Sequence, residues 1–361
     1  DQEGFLYPFV EISKCIDCKL CDSVCPIENK IESKMFDRKA YVLRAKDVEI
    51  VSTSTSGGFV TPLGEWILNQ GGVICGATYN EEYKVIHKIS GGAEEFRGSK
   101  YVQSDLGDCF SEIKKHLMQE TKVCFIGTPC QVYGLKSYLR KEYDNLVTVD
   151  LVCHGTPSPK LWKKYLDEQK DKYHSEIDDI VFRNKTYGYH SGTMRIRFKN
   201  QFVYYGSARV DPMLKSFFAE ISSRPSCYQC HFKSVERCSD FTIYDCWHAN
   251  NLVEGLVDDD KGFTNLIVQS SKGERILDRI ADRYELYATN LEKAIELDGT
   301  MICHSAEPHP RRDEYYLNLD KETLRAHIQK FVPIRIRDYL IEKSKGIFYR
   351  MGVYKFLKNK K

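Results

Sequence analysis

The chain has 361 residues, of which 42% are hydrophobic and 29% are charged, and its formal net charge is +2. This length and apolar content allow one large core or two packed domains, whereas the balanced charge gives no sign of a nucleic-acid-binding surface. No apolar run approaches the roughly 18 residues that a membrane span requires, and no signal-peptide pattern opens the sequence. Fourteen cysteines, grouped with metal-ligand spacing, favour thiolate ligation in a reducing compartment and therefore a cytoplasmic protein.

The predicted elements begin with a small cysteine-rich module at residues 1–35. Alternating strand-like and helix-like segments predict an α/β core over residues 36–290, with a mixed sheet and flanking helices. A helical region over residues 291–361 ends in the basic residues Lys355, Lys358, Lys360 and Lys361. The predicted strands are 73–79, 83–90, 122–127, 145–153, 180–182, 194–198, 202–205, 240–244 and 265–269. The predicted helices are 57–69, 105–119, 130–140, 158–173 and 207–222, and the chain is mostly helical from residue 274.

The first group of cysteines has the pattern Cys15-x2-Cys18-x2-Cys21-x3-Cys25-Pro26. Soft thiolates at this spacing are typical of a loop wrapped around a 4Fe–4S cluster, and in two-cluster ferredoxins the fourth cysteine binds the other cluster. We therefore expect Cys15, Cys18 and Cys21 to hold one cluster and Cys25 to contribute to a second. Because a second such motif is missing, we also expect an upstream half of this ferredoxin-like module. A zinc knuckle is the alternative, but it usually shows two separated pairs or added histidines.

A second site is indicated by Cys227-x2-Cys230, which is only half of a ligand set. Cys130 and Cys153 each follow a predicted buried strand, at the strand ends where α/β sheets place their sites, and they are the candidate partners. Cys238 and Cys246 compete for the same role, and a redox dithiol at Cys227 and Cys230 stays open. The remaining cysteines are expected to be buried and inert, namely Cys75, Cys109, Cys124 and Cys303.

Three small-residue loops could approach a nucleotide-like ligand. The segment with Ser54, Ser56, Gly57 and Gly58 precedes a predicted helix, whose N-terminal amides attract phosphate. A second loop contains Ser99, Lys100 and Tyr101, which offer a cation for phosphate and a ring for stacking. A third loop contains Gly127, Thr128 and Pro129. Each signal is weak by itself, because loops like these are more often tight turns. There is no Gly-x-Gly-x-x-Gly pattern, so an ordinary nicotinamide-binding Rossmann site is not supported.

These stretches, with Asp1–Pro8, Asp150–Pro159 and Arg224–Cys230, resemble the beta subunits of coenzyme F420-reducing hydrogenase and formate dehydrogenase, in their bacterial branch. The resemblance extends from residue 1 to about 313. It implies an iron–sulfur flavoprotein that binds FAD and exchanges electrons with a deazaflavin- or nicotinamide-type acceptor. It also implies that the small-residue loops lie near the flavin and that Cys130, Cys153, Cys227 and Cys230 bind an internal cluster. The chain departs from the family pattern at Tyr244 and His248, where glycines are usual.

The resulting hypothesis is an oxidoreductase subunit in which single electrons pass between 4Fe–4S clusters and FAD. His154 and Asp245 are candidates for proton transfer. The expected partners are a redox protein or a small electron acceptor, within a homo-oligomer or a larger complex. Two alternatives stay open: a non-catalytic electron-transfer accessory protein, such as one serving a surface-polysaccharide pathway, and a zinc-stabilised scaffold.

Overall fold

The structure is a computed structural model that describes residues 1–29, 31 and 35–354. The basic residues from Lys355 onward lie outside the described residues. The strands are β1 (Lys39–Ala45), β2 (Val73–Tyr79), β3 (Val85–Ser90), β4 (Val123–Gly127), β5 (Leu146–Leu151), β6 (Ile177–Asn184), β7 (Thr193–Phe198), β8 (Val203–Ser207), β9 (Phe241–Cys246), β10 (Phe263–Val268) and β11 (Tyr284–Thr289).

Short helices open the chain and longer ones flank the strands. They are α1 (Leu20–Ser23), α2 (Val48–Thr53), α3 (Val60–Leu68), α4 (Cys109–Met118), α5 (Pro129–Leu139), α6 (Pro159–Tyr173), α7 (Pro212–Phe218), α8 (Ala249–Leu252), α9 (Ser271–Ile280), α10 (Leu291–Asp298), α11 (Thr300–Cys303), α12 (Arg312–Leu317), α13 (Leu324–Phe331) and α14 (Ile336–Arg350). None of the described helices is long and apolar enough to cross a membrane.

The main sheet has eight strands in the order β11-β1-β10-β9-β5-β4-β2-β3. The central strands β2, β4, β5 and β9 pair in parallel, and the pairs on either side are antiparallel. Every residue of β4 and of β10 is buried, as expected for strands that are covered on both faces. The predicted α/β class with a mixed sheet and flanking helices is confirmed. The carboxyl ends of β4, β5 and β9 share one edge, where folds of this kind place their sites.

A second sheet of three antiparallel strands, in the order β6-β7-β8, packs on the first through a large apolar cluster. Helix α6 also packs into that cluster. Ser158 caps the start of this helix, because its hydroxyl accepts a hydrogen bond from the Leu161 amide at 3.1 Å. Phe5 at the beginning of the chain is 1% exposed and contacts the Tyr316 ring. The first residues and the helical C-terminal region are therefore anchored to the same core.

Three predicted helices begin later than expected, among them the helix expected at 105–119, which begins at Cys109, and two strands were missed. The helix expected at 57–69 begins at Val60, because Gly57 packs against β1, where an added Cβ would lie 2.3 Å from the Leu43 carbonyl oxygen. The helix expected at 207–222 is restricted to α7, since β8 extends to Ser207 and Asp211 caps the helix by accepting from the Leu214 amide at 2.9 Å. β1 was not predicted, and β11 lies within the stretch expected to be mostly helical.

Candidate functional site

Two of the internal cysteines follow neighbouring parallel strands. Cys130 is the second residue of α5, directly after β4, and Cys153 is two residues beyond β5. The start of α5 is fixed by a capping box, in which the Thr128 amide donates to Gln131 Oε1 at 2.9 Å. The Thr128 hydroxyl lies 3.1 Å from Cys130 Sγ. The sheet thus presents both thiols at its carboxyl edge.

The other two cysteines come from a loop that pairs with the segment after Cys153. Pro157 and Ser223 form an antiparallel bridge, and the Arg224 amide donates to the Thr156 carbonyl at 2.9 Å. Gly155 has a φ of +147°, and an added Cβ would lie 2.5 Å from the Ser223 hydroxyl. Glycine at this position therefore allows the close approach that brings Cys227 and Cys230 beside Cys153.

The structure brings the four predicted internal ligands together. Burial, with smaller contributions from the nearby Cys130 and Cys230, raises the pKa of the Cys153 thiol to about 11. The pKa of Cys227 is also raised, first by burial and then by Cys153, Cys130 and Cys230. Such mutual effects require thiols that lie within several ångströms of each other. Among the described residues, no three His, Cys, Asp or Glu side chains are arranged around a single metal ion.

Two cations border this group of thiols. Desolvation by the surrounding protein raises the pKa of Cys130, and the guanidinium of Arg224 offsets part of this rise. The ammonium of Lys233 donates to the carbonyls of Cys153 at 2.6 Å and of Met301 at 2.7 Å. Positive charge of this kind favours the thiolate form that metals and clusters require. Cysteine thiolates are the ligand type that soft metals prefer, although the described side chains are not arranged around a single ion.

The other described cysteines occupy different environments. Cys238 is buried in the core between α4 and α5, and Cys246 is buried beside Asp298. Cys75, Cys109 and Cys124 are buried as expected, and the thiols of Cys75 and Cys109 contact each other. The expectation for Cys303 was wrong, because it stands exposed at the end of the short helix α11.

The first cysteine group forms an open loop. Cys15, Cys18 and Cys21 are exposed and Cys25 is half-buried. Between these cysteines, Asp17 and Lys19 adopt left-handed backbone conformations with φ of 53° and 57°, which curl the chain tightly. The loop is tied to the core where Arg140, the residue that ends α5, donates to the Ser23 hydroxyl. Since Cys130 lies ten residues earlier, the two cysteine groups flank the ends of one helix about 15 Å long.

The small-residue loops predicted to approach a flavin are largely engaged within the protein. Gly57 donates to Thr264 Oγ1 at 2.8 Å, and the Ser56 hydroxyl shares that partner. The Ser99 amide donates to Thr55 Oγ1 at 2.8 Å. Ser54 and Gly58 are buried, and Gly127 and Pro129 are buried at the end of β4 and the start of α5. Lys100 donates to the Ala77 and Arg97 carbonyls, and burial lowers its pKa to about 8.

Next to these loops lies a buried cationic cluster that the sequence reading missed. Arg183 Nη1 donates to the Tyr101 hydroxyl and to Asp245 Oδ2, both at 3.2 Å, whereas its buried Nη2 has no hydrogen-bond partner among the described residues. Lys185 donates to the Val51 and Ser56 carbonyls at 2.7 and 2.6 Å. Burial lowers the pKa of Lys185 to about 7. Its signal in the sequence was the two-residue spacing of Arg183, near the end of β6, and Lys185, just after it.

Aromatic rings complete this cluster. The Trp247 ring stacks on Tyr189 at a centroid distance of 4.5 Å, and the Arg183 guanidinium lies over Trp247 at 4.7 Å. Trp247 directly follows β9, so the cationic cluster and the internal cysteines lie along the same edge of the sheet. An unpaired guanidinium nitrogen beside aromatic rings suits an anionic ligand with a planar ring system.

A short chain of rings joins the cationic cluster to the internal cysteines. Tyr101 contacts Arg183 and stacks on Phe217 at a centroid distance of 4.8 Å. Phe217 meets the ring of His154 at 5.2 Å, and His154 directly follows Cys153. The two candidate sites are therefore separated by the width of a few side chains.

The two candidates for proton transfer occupy different parts of this arrangement. His154 Nε2 forms a hydrogen bond with the Glu220 carboxylate beside the internal cysteines. Asp245 is paired with Arg183 in the cationic cluster. Both side chains are partly exposed, with His154 at 29% and Asp245 at 23%. His154 thus has a carboxylate partner that can orient its imidazole, whereas Asp245 positions a guanidinium.

One protein-family model matches part of this chain. Residues 120–294 match the model for the C-terminal part of the coenzyme F420 hydrogenase/dehydrogenase beta subunits. This range contains all four internal cysteines and excludes the first cysteine group. A chain of the F420-reducing NiFe hydrogenase complex from Methanosarcina barkeri, solved with xenon, is similar at 16% identity and a TM-score of 0.46. The match covers 85% of this chain and 97% of that chain. No curated protein sequence matches.

Proposed function

We propose that this chain, which belongs to the coenzyme F420 hydrogenase/dehydrogenase beta-subunit family through residues 120–294, is an iron–sulfur flavoprotein subunit of an oxidoreductase. The observation that carries the proposal is the convergence of Cys130, Cys153, Cys227 and Cys230 at the carboxyl edge of the sheet. A purely structural role would not require four thiols from three separate segments, since a small apolar residue could take the place of each one.

The internal cysteines and the first cysteine group are the proposed ligands of 4Fe–4S clusters. Bound there, clusters supply one-electron transfer, which a flavin such as FAD would couple to two-electron chemistry. Arg224 and Lys233 offset the negative charge of the thiolates at the internal site. Cys15, Cys18 and Cys21 present an exposed loop that a redox partner protein can approach.

The cationic cluster is the proposed binding site for the flavin. Arg183 Nη2, which is unpaired within the described part of the chain, offers a donor to an anionic group, and Lys185 fixes the loop that contains Ser56. The Tyr101 hydroxyl and the Trp247 ring both contact the guanidinium. Because Phe217 and His154 lead from Tyr101 to Cys153, a flavin held here would be close to the internal cysteines. A deazaflavin- or nicotinamide-type acceptor, such as F420, is the proposed electron partner.

One observation favours a second candidate, an electron-transfer subunit without flavin. The polar groups of Ser56, Ser99 and Lys100, which were expected to face the flavin, already hydrogen-bond within the protein. Under this alternative, the small-residue loops are tight turns that support packing. Flavin content after reconstitution separates the two candidates, because only the first requires a bound flavin.

Substitution of single cysteines tests the internal cluster. The variants Cys130→Ser, Cys153→Ser, Cys227→Ser and Cys230→Ser are reconstituted anaerobically with iron and sulfide, and Cys303→Ser serves as the exposed-cysteine control. We expect each of the four to lose about four iron atoms per chain and the matching visible absorbance, while the control retains both. Full iron and sulfide in all four variants would reject the proposed ligand set.

A further inference from the structure

Four apolar residues in and just after α14, the last described helix, face solvent instead of the protein core. Ile336 is 80% exposed, Leu340 is 62%, Ile347 is 54% and Met351, just after the helix, is 65%. These positions are spaced by 4, 7 and 4 residues, so they form one stripe along the helix. None of the helix residues is buried.

The opposite face of α14 meets the protein through polar contacts and through the rings of Tyr339 and Tyr349. The Glu342 carboxylate accepts hydrogen bonds from the Ser207 amide at 3.2 Å and hydroxyl at 2.7 Å. Lys345 donates to Thr193 Oγ1 at 3.2 Å. These contacts hold the helix against the three-stranded sheet and turn the apolar stripe toward solvent. A contiguous apolar stripe that faces solvent marks an interaction surface.

Basic residues border the stripe. On a helical projection Lys343 and Arg350 lie on one side of it and Arg337 lies on the other. Residues 335–361 contain nine Lys and Arg but only two Asp and Glu, a net charge of +7 in a chain whose total is +2. The rest of the chain therefore carries −5. A cleft of about 440 Å³ at the start of α14 is lined by further cations, Lys215 and Arg335, together with Asp338.

We infer that α14 docks the protein on an anionic lipid bilayer, lying in the interfacial plane with its apolar stripe inserted among the acyl chains. An apolar stripe flanked by Lys and Arg is the pattern of interfacial helices, in which apolar insertion and attraction to anionic headgroups act together. Charge complementarity favours this occupant over a second copy of the chain, because two such basic surfaces would repel each other. The inference does not depend on the proposed redox function.

Co-sedimentation of the full chain with vesicles tests the inference. We expect binding to vesicles of phosphatidylcholine mixed with phosphatidylglycerol, weakened by added salt, and little binding to phosphatidylcholine alone. The variant R337Q/K343Q/R350Q should bind roughly a hundredfold more weakly, since each removed charge near the surface weakens binding about fivefold. Its matched control replaces three exposed lysines elsewhere, K115Q/K141Q/K199Q, and should bind as the native chain does.

A second variant tests whether the apolar stripe contributes to vesicle binding. We expect I336Q/L340Q/I347Q/M351Q to lose at least about tenfold in vesicle binding, whereas V48Q/M118Q/V257Q/L317Q, four exposed apolar residues elsewhere, should not. Circular dichroism confirms that each variant folds. Equal binding to both vesicle types, or no binding, overturns the inference. A native dimer that the stripe variant converts to a monomer, without vesicle binding, also overturns it and assigns the stripe to self-association.

Discussion

Arg237 and Asp150 form an ion pair in which each side chain is only 1% exposed, with Arg237 Nη1 lying 2.6 Å from Asp150 Oδ1. Asp150 is in β5, three residues before Cys153, and Arg237 follows the loop that contains Cys227 and Cys230. The same guanidinium donates to the Ser234 carbonyl at 3.0 Å. The pair therefore connects the two segments that supply most of the internal cysteines.

Removal of either partner leaves a buried charge without compensation. We expect Asp150→Ala or Arg237→Met to lower the free energy of unfolding by about 3–5 kcal/mol. The matched control is Arg197→Met, which breaks an ion pair with Asp178 whose side chains are nearly half exposed, and it should cost at most about 1 kcal/mol. Urea unfolding followed by circular dichroism measures both. Similar losses at the two pairs would contradict the structural role given to Arg237.

Arg183 is the test of the proposed flavin site. We expect Arg183→Gln to weaken FAD binding at least about tenfold, because it removes the charge-assisted donor that has no partner among the described residues. Arg195→Gln, on the neighbouring strand β7, removes a cation of the same type away from the cluster and serves as the control. Quenching of flavin fluorescence on binding measures the affinity. Unchanged FAD affinity in Arg183→Gln would place the flavin elsewhere.

The buried imidazole of His87 leads us to predict that the protein loses stability in mild acid. Burial lowers the pKa of this imidazole to about 4, whereas an unfolded chain has a value near 6.5. The unfolded state therefore binds more protons between these values, and stability falls as the pH drops from about 6.5 to 4, by up to about 1.4 kcal/mol per pH unit. Unfolding in urea across this range should show a shallower slope for His87→Gln than for the native chain. A slope in the His87 variant equal to that of the native chain would refute the assignment.

The first cysteine group should behave as an independent cluster site. We expect Cys18→Ser to lose about four iron atoms per chain after anaerobic reconstitution while the internal site keeps its iron. The two groups lie at opposite ends of α5, so the loss at one site should not spread. Iron, sulfide and the visible spectrum give the result, with Ser13→Ala as the control in the same loop. A loss of all iron from Cys18→Ser would show that the two sites are coupled.

Much of the central sheet could be predicted from the sequence, because its inner strands are mostly apolar runs. The positions of Cys130 and Cys153 after such runs were enough to place them at one edge. The strand β1 was missed because Lys39 and Arg44 interrupt its apolar pattern, although they bond to Glu274 and Glu285 on neighbouring elements. Such pairing depends on tertiary contacts that local patterns do not contain.

The cationic cluster could not be predicted for a similar reason. Arg183 looks like an ordinary surface residue of a strand, and only the packing of the second sheet against the first buries it beside Asp245. The small-residue loops were more visible in the sequence, yet Gly57 is explained by its contact with Leu43. The sequence also did not predict that the apolar stripe of α14 faces solvent, since amphipathic periodicity does not say which face of a helix meets the protein.

The central claim is that the converged cysteines hold iron–sulfur clusters that serve a flavin. Its most direct test is anaerobic purification of the full chain, followed by analysis of iron, zinc, acid-labile sulfide and flavin with a visible spectrum. We predict iron and sulfide in equal amounts, a broad absorbance typical of 4Fe–4S clusters, and a flavin near one per chain. Zinc alone, with neither sulfide nor flavin after anaerobic reconstitution, would contradict the account and favour a zinc-stabilised scaffold.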